Sequence, residues 1–152
     1  MKVRSFVVVL SAVAIFAIVA RAEEKKDPLE GIKCPVSDKS VKADATVDYK
    51  GGKAFFCCAN CVKAFKKDTA KFATKANHQL VATGQVKQVK CPLSGTPCKP
   101  AHKETVQGVD VYFCCGRCQG KVAKAEGDAQ AELVFSDNAF KKGFELKKAE
   151  KE

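Results

Sequence analysis

The stretch that decides the fold reads Phe-Phe-Cys-Cys-Ala-Asn-Cys at residues 55–61, and it returns as Tyr-Phe-Cys-Cys-Gly-Arg-Cys at residues 112–118. A second motif precedes each copy, Cys-Pro-Val-Ser at residues 34–37 and Cys-Pro-Leu-Ser at residues 91–94. All of these matches share one offset of 57 residues, and no gap is needed. Four cysteines, a proline, a serine and a phenylalanine at one offset indicate a tandem repeat.

Between the two motifs, the first copy predicts a β-hairpin. Thr46 to Lys50 alternates in polarity as a strand does, Gly51-Gly52 can supply the turn with positive φ, and Lys53 to Phe56 returns as the second strand. The second copy repeats the pattern, with its turn near Gly108. Each hairpin therefore folds the second cysteine motif of its copy back toward the first.

Helices are predicted after each hairpin. Ala59 to Lys67 suits a helix, and Asp68 can cap a second one, in which apolar residues recur at every fourth position from Phe72 to Leu80. In the second copy, Asp128 to Phe135 and Asn138 to Phe144 suit shorter helical segments. Each copy is predicted to combine a cysteine knuckle, meaning its Cys-Pro-x-Ser turn, with a hairpin and a helix, in a small α+β fold.

The repeat and the composition divide the chain into segments. A module of about 50 residues buries too little apolar surface to be stable alone, and a metal ion or a disulfide usually supplies the missing stability. The predicted segments are a signal peptide at 1–22, a polar leader at 23–33, a first Cys-rich module at 34–83, a connector at 84–90, a second Cys-rich module at 91–146 and a Lys-rich tail at 147–152.

The N-terminus has the features of a secretory signal peptide. Lys2 and Arg4 form a basic start, and the almost unbroken apolar run from Phe6 to Ala20 has 15 residues. That run is shorter than the roughly 20 residues that span a bilayer, which disfavours an uncleaved anchor. Small residues at Ala20 and Ala22 suit the signal peptidase. We therefore predict cleavage after Ala22, no stable membrane span afterwards, and a periplasmic or secreted protein.

The cysteines of each module can converge. Residues three or four apart at the start of a helix share a face, so Cys61 can approach Cys57 or Cys58, and the hairpin brings Cys34 close to them. A helix N-terminus also stabilises thiolates, which are the metal-binding form of cysteine. The candidate metal ligands are Cys34, Cys57, Cys58, Cys61, Cys91, Cys114, Cys115 and Cys118, and Cys98 is also available.

Each module is predicted to hold one ion, either Zn or Cu(I). Three thiolates suit a soft ion such as Cu(I), whereas Zn normally takes four ligands. A fourth sulfur atom can come from the other member of each adjacent cysteine pair, although neighbouring side chains in a strand point to opposite faces. His78 and His102 do not correspond in the repeat, and we expect them to be solvated surface residues rather than ligands.

Two other interpretations of the cysteines stay open. In an oxidising compartment Cys34 could bridge to Cys58 or Cys61, and Cys91 likewise, which would give a disulfide-stapled interaction module without metal. The count of nine cysteines is odd, so at least one thiol would stay unpaired within the chain. Alternatively, Cys58-x-x-Cys61 or the adjacent pair could act as a switchable disulfide in a thiol–disulfide redox protein, although no βαβ pattern surrounds it.

The cysteine spacing resembles that of TRASH and YHS-like domains, a family of small cysteine-rich metal-binding modules. In both copies an aromatic pair precedes the second cysteine of the pattern. The resemblance implies a treble-clef or zinc-ribbon-like fold for each module and a role in heavy-metal trafficking, resistance or sensing. Ser37 and Ser94 stand where many relatives have a second knuckle cysteine, and the Tyr-His-Ser signature is absent. The residues that carry the match are Cys34, Cys57, Cys61, Cys91, Cys114 and Cys118.

These observations predict an exported heavy-metal-binding protein that chelates or ferries a thiophilic ion and is not an enzyme. The expected partners are the metal ion and a protein of the cell envelope. The sequence has no paired carboxylates in an apolar frame, no nucleophile motif and no glycine-rich phosphate loop. Its lysines are scattered over predicted helix faces, so we assign no nucleic-acid site to the net positive charge.

Overall fold

The computed structural model describes residues 29–147. The predicted signal peptide, the first part of the polar leader and the tail beyond Lys147 lie outside the described residues. Within the described range the chain forms five α-helices and three two-stranded antiparallel sheets. The small α+β class predicted from the sequence is therefore confirmed.

The first hairpin consists of β1 (Lys42–Tyr49) and β2 (Gly52–Phe56). Tyr49 pairs with Gly52, so the turn consists of Lys50 and Gly51, whose φ angles are 50° and 81°. Two successive residues with positive φ match the twist of the flanking strands. The predicted turn at Gly51-Gly52 is one residue too late, because Lys50 adopts the left-handed conformation and Gly52 already belongs to the strand.

The second hairpin consists of β4 (Lys99–Val106) and β5 (Val109–Phe113). Its turn residues, Gln107 and Gly108, have φ angles of 47° and 82°. The two hairpins therefore close in the same way at positions 57 residues apart, as the repeated sequence predicts.

Both hairpins carry the same bulge, and the sequence did not reveal it. Between the pairs that Lys42 and Thr46 make with β2, residues 43–45 lie outside the regular ladder. The second hairpin has the equivalent irregularity at residues 100–102. The first strand of the first hairpin therefore begins four residues earlier than predicted, at Lys42, and its bulge lies beside Cys57 and Cys58.

The helices of the first half follow the prediction closely. Helix α1 (Ala59–Lys67) has the predicted bounds, and α2 (Ala73–Ala82) follows it. Asp68 does act as a cap, because its Oδ1 accepts a hydrogen bond of 3.1 Å from the backbone N–H of Lys71. The capped segment is a 3₁₀ turn (Ala70–Phe72) rather than the first turn of α2.

The second half contains three helices: α3 (Gly116–Ala123), α4 (Gly127–Phe135) and α5 (Asp137–Gly143). The last two agree with the predicted helical segments to within one residue at each end. Phe144 is the exception, because it begins a strand instead of ending a helix. The strand that Phe144 begins pairs with residues of the predicted connector.

The predicted connector at 84–90 contains β3 (Val86–Gln88), which pairs with β6 (Phe144–Leu146). The backbone N–H groups of Val89 and Lys90 then donate to the carbonyl oxygen of Gly143, at 2.8 and 3.2 Å. The connector is thus part of the folded structure, because a partner nearly 60 residues away satisfies its backbone. A pairing partner so distant in sequence leaves no local pattern to predict it.

One apolar core joins both halves. The rings of Tyr49 and Phe65 meet edge to face at 5.3 Å, and Phe56 packs against Phe65 at 5.1 Å. The core continues without interruption into the second half. Its largest fully buried apolar side chains are Phe56, Phe65, Leu80, Val106, Val111, Phe113, Val122, Val134 and Phe135.

A buried polar network also connects the halves through Asn77, which is fully buried on α2. Its amide nitrogen donates to the carbonyl oxygen of Phe135 at 2.8 Å and to Asp137 at 2.9 Å. Its amide oxygen accepts from the hydroxyl of Tyr49 at 3.1 Å and from Lys50 at 2.9 Å. Burial, and then the charge of Asp137, raise the pKa of Tyr49, so its hydroxyl remains a donor.

We predict that Asn77→Ala destabilises the protein by about 1–3 kcal/mol, because the Tyr49 hydroxyl and the Phe135 carbonyl lose their partner inside the core. Thermal or urea unfolding measures the change. The control is Lys75→Ala on the same helix, which removes only an exposed ion pair with Asp38 and should cost about 0–1 kcal/mol. Equal stability of the two variants would show that the network does not hold the halves together.

Candidate metal centres

The two knuckles have the same backbone geometry. The N–H of Cys34 donates to the carbonyl oxygen of Lys39 at 2.8 Å, and the N–H of Asp38 donates back to Cys34 at 2.9 Å. Cys91 has the same two hydrogen bonds, at 2.9 and 2.8 Å. Asp38 and Gly95, at equivalent positions, both have positive φ, which turns the chain sharply. Each knuckle cysteine is thereby fixed and fully buried.

The start of α1 brings three more sulfur atoms together. Cys58 is the N-cap of the helix, Cys57 precedes it, and Cys61 follows one turn later. The sulfur atoms of Cys57 and Cys61 lie 3.5 Å apart, and that of Cys58 lies 3.6 Å from Cys61 and 3.7 Å from Cys57. The sulfur atoms of Cys34, Cys57 and Cys61 all lie within 4.8 Å of one another. These three residues form what we name the first cluster.

The second cluster consists of Cys91, Cys114 and Cys118, whose sulfur atoms also lie within 4.8 Å of one another. Cys114 is 3.7 Å from Cys118 and 3.7 Å from Cys115, the N-cap of α3. The two clusters thus occupy equivalent positions in the two halves of the chain. Cys58 and Cys115 stand at the edge of each cluster and not within the group of three.

The sulfur spacing has a direct chemical meaning. Thiolates that bind one tetrahedral ion at 2.3 Å lie about 3.8 Å from one another. Within the groups of three, the Cys57–Cys61 separation of 3.5 Å and the Cys114–Cys118 separation of 3.7 Å are close to that value. Both are far longer than the about 2.05 Å of a disulfide bond. The knuckle cysteines lie within 4.8 Å of these pairs, so each group of three could hold a metal ion.

A serine hydroxyl lies beside each cluster, at the position where the resemblance led us to remark only on a missing cysteine. The hydroxyl oxygen of Ser37 lies 3.2 Å from the sulfur of Cys57, and that of Ser94 lies 3.2 Å from Cys114. The serine is the fourth residue of each repeated knuckle motif, so the repeat itself contained the signal. The polar group beside each cluster is thus a neutral hydroxyl rather than a fourth knuckle sulfur.

The cluster thiols fall into two groups, one with a lowered pKa and one with a raised pKa. Burial alone would raise the pKa of Cys34, but the Ser37 hydroxyl and neighbouring backbone N–H groups lower it to about 7. The hydroxyls of Ser94 and Thr96 lower the pKa of Cys114 to about 6.

The helix cysteines behave in the opposite way. Burial, and then the adjacent thiols, raise the pKa of Cys61 to about 12. Burial and the neighbouring Cys114 thiol do the same for Cys118, also to about 12. Without an ion each cluster therefore retains protons near neutral pH, and a metal ion that binds all three sulfur atoms must displace them.

Cys98 lies apart from the second cluster. Its thiol donates to the carbonyl oxygen of Tyr112 at 3.3 Å and accepts from the amide of Gln88 at 3.4 Å. Burial, and then the charges of Cys91 and Cys114, raise its pKa. Its equivalent in the first half is Val41, which packs against the core. The structure therefore gives Cys98 its own partners rather than a place among the three converging sulfur atoms.

The two histidines also lie outside both groups of three. His78 is only partly exposed, and its Nε2 lies 3.1 Å from the carbonyl oxygen of Gln107 while its ring meets Phe135 edge to face at 5.0 Å. Burial lowers its pKa. His102 lies 3.3 Å through Nδ1 from the amide oxygen of Gln119. Neither is the freely solvated residue that the sequence suggested.

Sequence analysis missed the glutamine that joins the first knuckle to its hairpin. Gln79, which is 1% exposed, projects from α2. Its amide oxygen accepts from the backbone N–H of Phe55 at 2.6 Å, and its amide nitrogen donates to the carbonyl oxygens of Phe55 at 2.9 Å and Lys33 at 3.1 Å. Lys33 directly precedes Cys34, so this one side chain fixes the knuckle against the strand that leads to Cys57.

Gln88 makes the equivalent three hydrogen bonds in the second half. Its amide oxygen accepts from the N–H of Tyr112 at 2.9 Å, and its amide nitrogen donates to Tyr112 at 2.6 Å and to Lys90 at 3.1 Å. Tyr112 and Lys90 occupy the positions of Phe55 and Lys33. Gln88 comes from β3, however, and has no sequence relation to Gln79 in the repeat. We call these two residues the bridging glutamines.

We predict that Gln79→Leu weakens metal binding at the first cluster about 10-fold or more, the lower range for lost supporting hydrogen bonds at a metal site. Gln88→Leu should weaken only the second cluster. Competition titration with a chromophoric chelator measures both affinities.

Gln85→Leu is the matched control for the Gln79 variant. Gln85 binds the N–H and carbonyl of Lys53 at 2.6 and 2.8 Å on the same strand, but no knuckle residue. It should lower stability and leave metal affinity unchanged. If all three variants lose stability and none loses affinity, the bridging glutamines support only the fold.

No protein-family model, no curated protein and no solved structure matches this chain. Interpretation of the clusters therefore depends on their own geometry. In the part of the chain from residue 29 to residue 147, no helix is both long enough and apolar enough to cross a membrane. The predicted signal peptide lies outside that part.

Proposed function

We propose that this protein is an exported binder of a thiophilic metal ion, which it chelates or carries, with one ion in each cysteine cluster. The observation that carries the proposal is that two groups of three cysteines have converging sulfur atoms. Sulfur separations near those around a bound ion support it. The spacing that resembles TRASH and YHS-like domains supports the same function, and with it a treble-clef-like module around each cluster.

The ligand set favours Cu(I) over Zn within this proposal. Three thiolates satisfy a soft monovalent ion, whereas Zn requires a fourth ligand. Cys58 could supply it in the first cluster, since its sulfur is 3.6 Å from that of Cys61. The Ser37 hydroxyl is the other candidate, although it is a weaker ligand for a soft ion.

Because we predict export to an oxidising compartment, a disulfide-stapled module without metal is the alternative function. In it, Cys34 would bridge to Cys61 and Cys91 to Cys118, pairs whose sulfur atoms lie within 4.8 Å of each other. Such a protein would bind a protein of the cell envelope rather than a metal. A third outcome, reversible reduction and turnover with a dithiol donor, would identify a thiol–disulfide redox protein.

We expect elemental mass spectrometry of the exported, untagged protein to find about two equivalents of one ion per chain. Thiol titration should find most cysteines only after a chelator removes that ion. A metal-free protein with about one titratable thiol would establish the disulfide-stapled alternative instead.

We predict that Cys61→Ser and Cys118→Ser each reduce the bound metal from about two equivalents to about one under competition with a chelator, because each removes the helix thiolate of its group of three, 3.5 Å from the sulfur of Cys57 or 3.7 Å from that of Cys114. Each variant should also melt at a lower temperature than the metal-loaded parent, since metal binding and folding are coupled. Cys98→Ser is the control and should retain both ions. Unchanged stoichiometry in both cluster variants contradicts the proposal.

A further inference from the structure

The two clusters have the same sulfur geometry but different surroundings. The first cluster borders a surface cavity of about 470 Å³. One wall is the bulge of β1, and the other is the start of α1 with the two cysteines that precede it. The lining residues nearest the sulfur atoms are Asp44, Ala45, Cys57, Cys58, Ala59 and Val62.

At the second cluster, larger side chains replace two of the apolar residues that line this cavity. His102 stands at the position of Ala45, and Gln119 stands at the position of Val62. Nδ1 of His102 lies 3.3 Å from the amide oxygen of Gln119, whose nitrogen donates to the carbonyl oxygen of Lys103 at 2.9 Å. The bulge and the helix are therefore linked by side chains in the second half.

A glycine lies beside this link. Gly116 occupies the position of Ala59, and a Cβ placed on it would lie 3.8 Å from Cε1 of His102. The imidazole thus lies directly over the first residue of α3, next to Cys115. In the first half the same place is filled only by the methyl groups of Ala45 and Ala59, which leave the cavity open.

We propose that the two clusters have different roles: the first exchanges its ion with outside thiols through the cavity at the exposed Cys58, and the second retains its ion longer because His102 and Gln119 occupy the equivalent route beside the less exposed Cys115. This inference rests on the proposed metal binding and adds the exchange route. The exchanging partner is a thiol-bearing molecule, since only a soft ligand competes with three thiolates.

The exchange step is an associative ligand substitution with no redox change. An incoming thiolate enters the cavity and forms a sulfur–metal bond. One cysteine–metal bond then breaks, and the released thiolate takes a proton from water. Cys58 is exposed at this cavity, and its sulfur lies 3.7 Å from that of Cys57 and 3.6 Å from that of Cys61. It can therefore hold the ion briefly as the ion enters or leaves.

The test measures metal removal by excess dithiothreitol from protein loaded with Cu(I), or with Zn if the protein loads only Zn. We expect two phases of about one equivalent each. Cys61→Ser should remove the fast phase, and Cys118→Ser should remove the slow phase. A single phase from a protein that holds two ions, or the opposite assignment, overturns the inference while the proposed function stands.

Variants in which the lining residues of one cluster are replaced by those of the other provide matched tests. His102→Ala with Gln119→Val gives the second cluster the residues of the first, and its release should accelerate about fivefold, the factor that one hydrogen bond of typical net strength provides. Ala45→His with Ala59→Gly and Val62→Gln should slow the first phase by a similar factor. Unchanged rates in both variants overturn the inference.

The number of metal ions that these variants bind distinguishes the remaining outcomes. Both should retain two ions and cooperative unfolding, because the exchanged residues lie outside the clusters. Loss of the second ion in His102→Ala would make His102 a ligand and overturn its role as a barrier. A parent protein that binds no ion at all overturns the proposed function and the exchange route together.

Discussion

The convergence of three thiols depends on the hydrogen bonds of one amide side chain in each half of the molecule. The hairpin and the helix that follows it place two of the three cysteines, because Cys57 and Cys61 are close in sequence. Cys34 comes from a separate turn, which contacts the second motif through Ser37, 3.2 Å from Cys57. Gln79 adds a buried link by binding the backbone of Lys33 and of Phe55 at the same time. That link fixes the backbone directly before Cys34 against the strand that leads to Cys57.

The same amides explain how two-stranded hairpins can stand alone in this protein. The outer edge of a strand has backbone N–H and carbonyl groups that need partners. On β2, Gln85 binds Lys53 and Gln79 binds Phe55, two residues further along. Successive glutamines thus take the place of a third strand. In each hairpin, one of the side chains that protect the outer edge, Gln79 or Gln88, also positions the cluster.

Sequence patterns predicted the parts of this fold that depend on nearby residues. The bounds of α1 and the existence of both hairpins follow from local periodicity and glycine placement. The groups of three cysteines follow from spacing along a helix start and a hairpin. By contrast, β3 depends on pairing with β6, and Asn77 depends on partners in both halves. A glutamine in a polar sequence also looks the same whether it lies in water or, like Gln79, inside the protein.

The bridging glutamines show which features the two halves share and which they do not. Both clusters have the same knuckle hydrogen bonds, the same serine contact and the same order of cysteines. Yet the amide that holds each knuckle comes from α2 in one half and from β3 in the other. Identical geometry from unrelated positions means that the arrangement of the sulfur atoms is the feature both halves require. The differences between the halves lie instead in the walls around the clusters, where side chains control which molecules reach the sulfur atoms and not how the sulfur atoms are arranged.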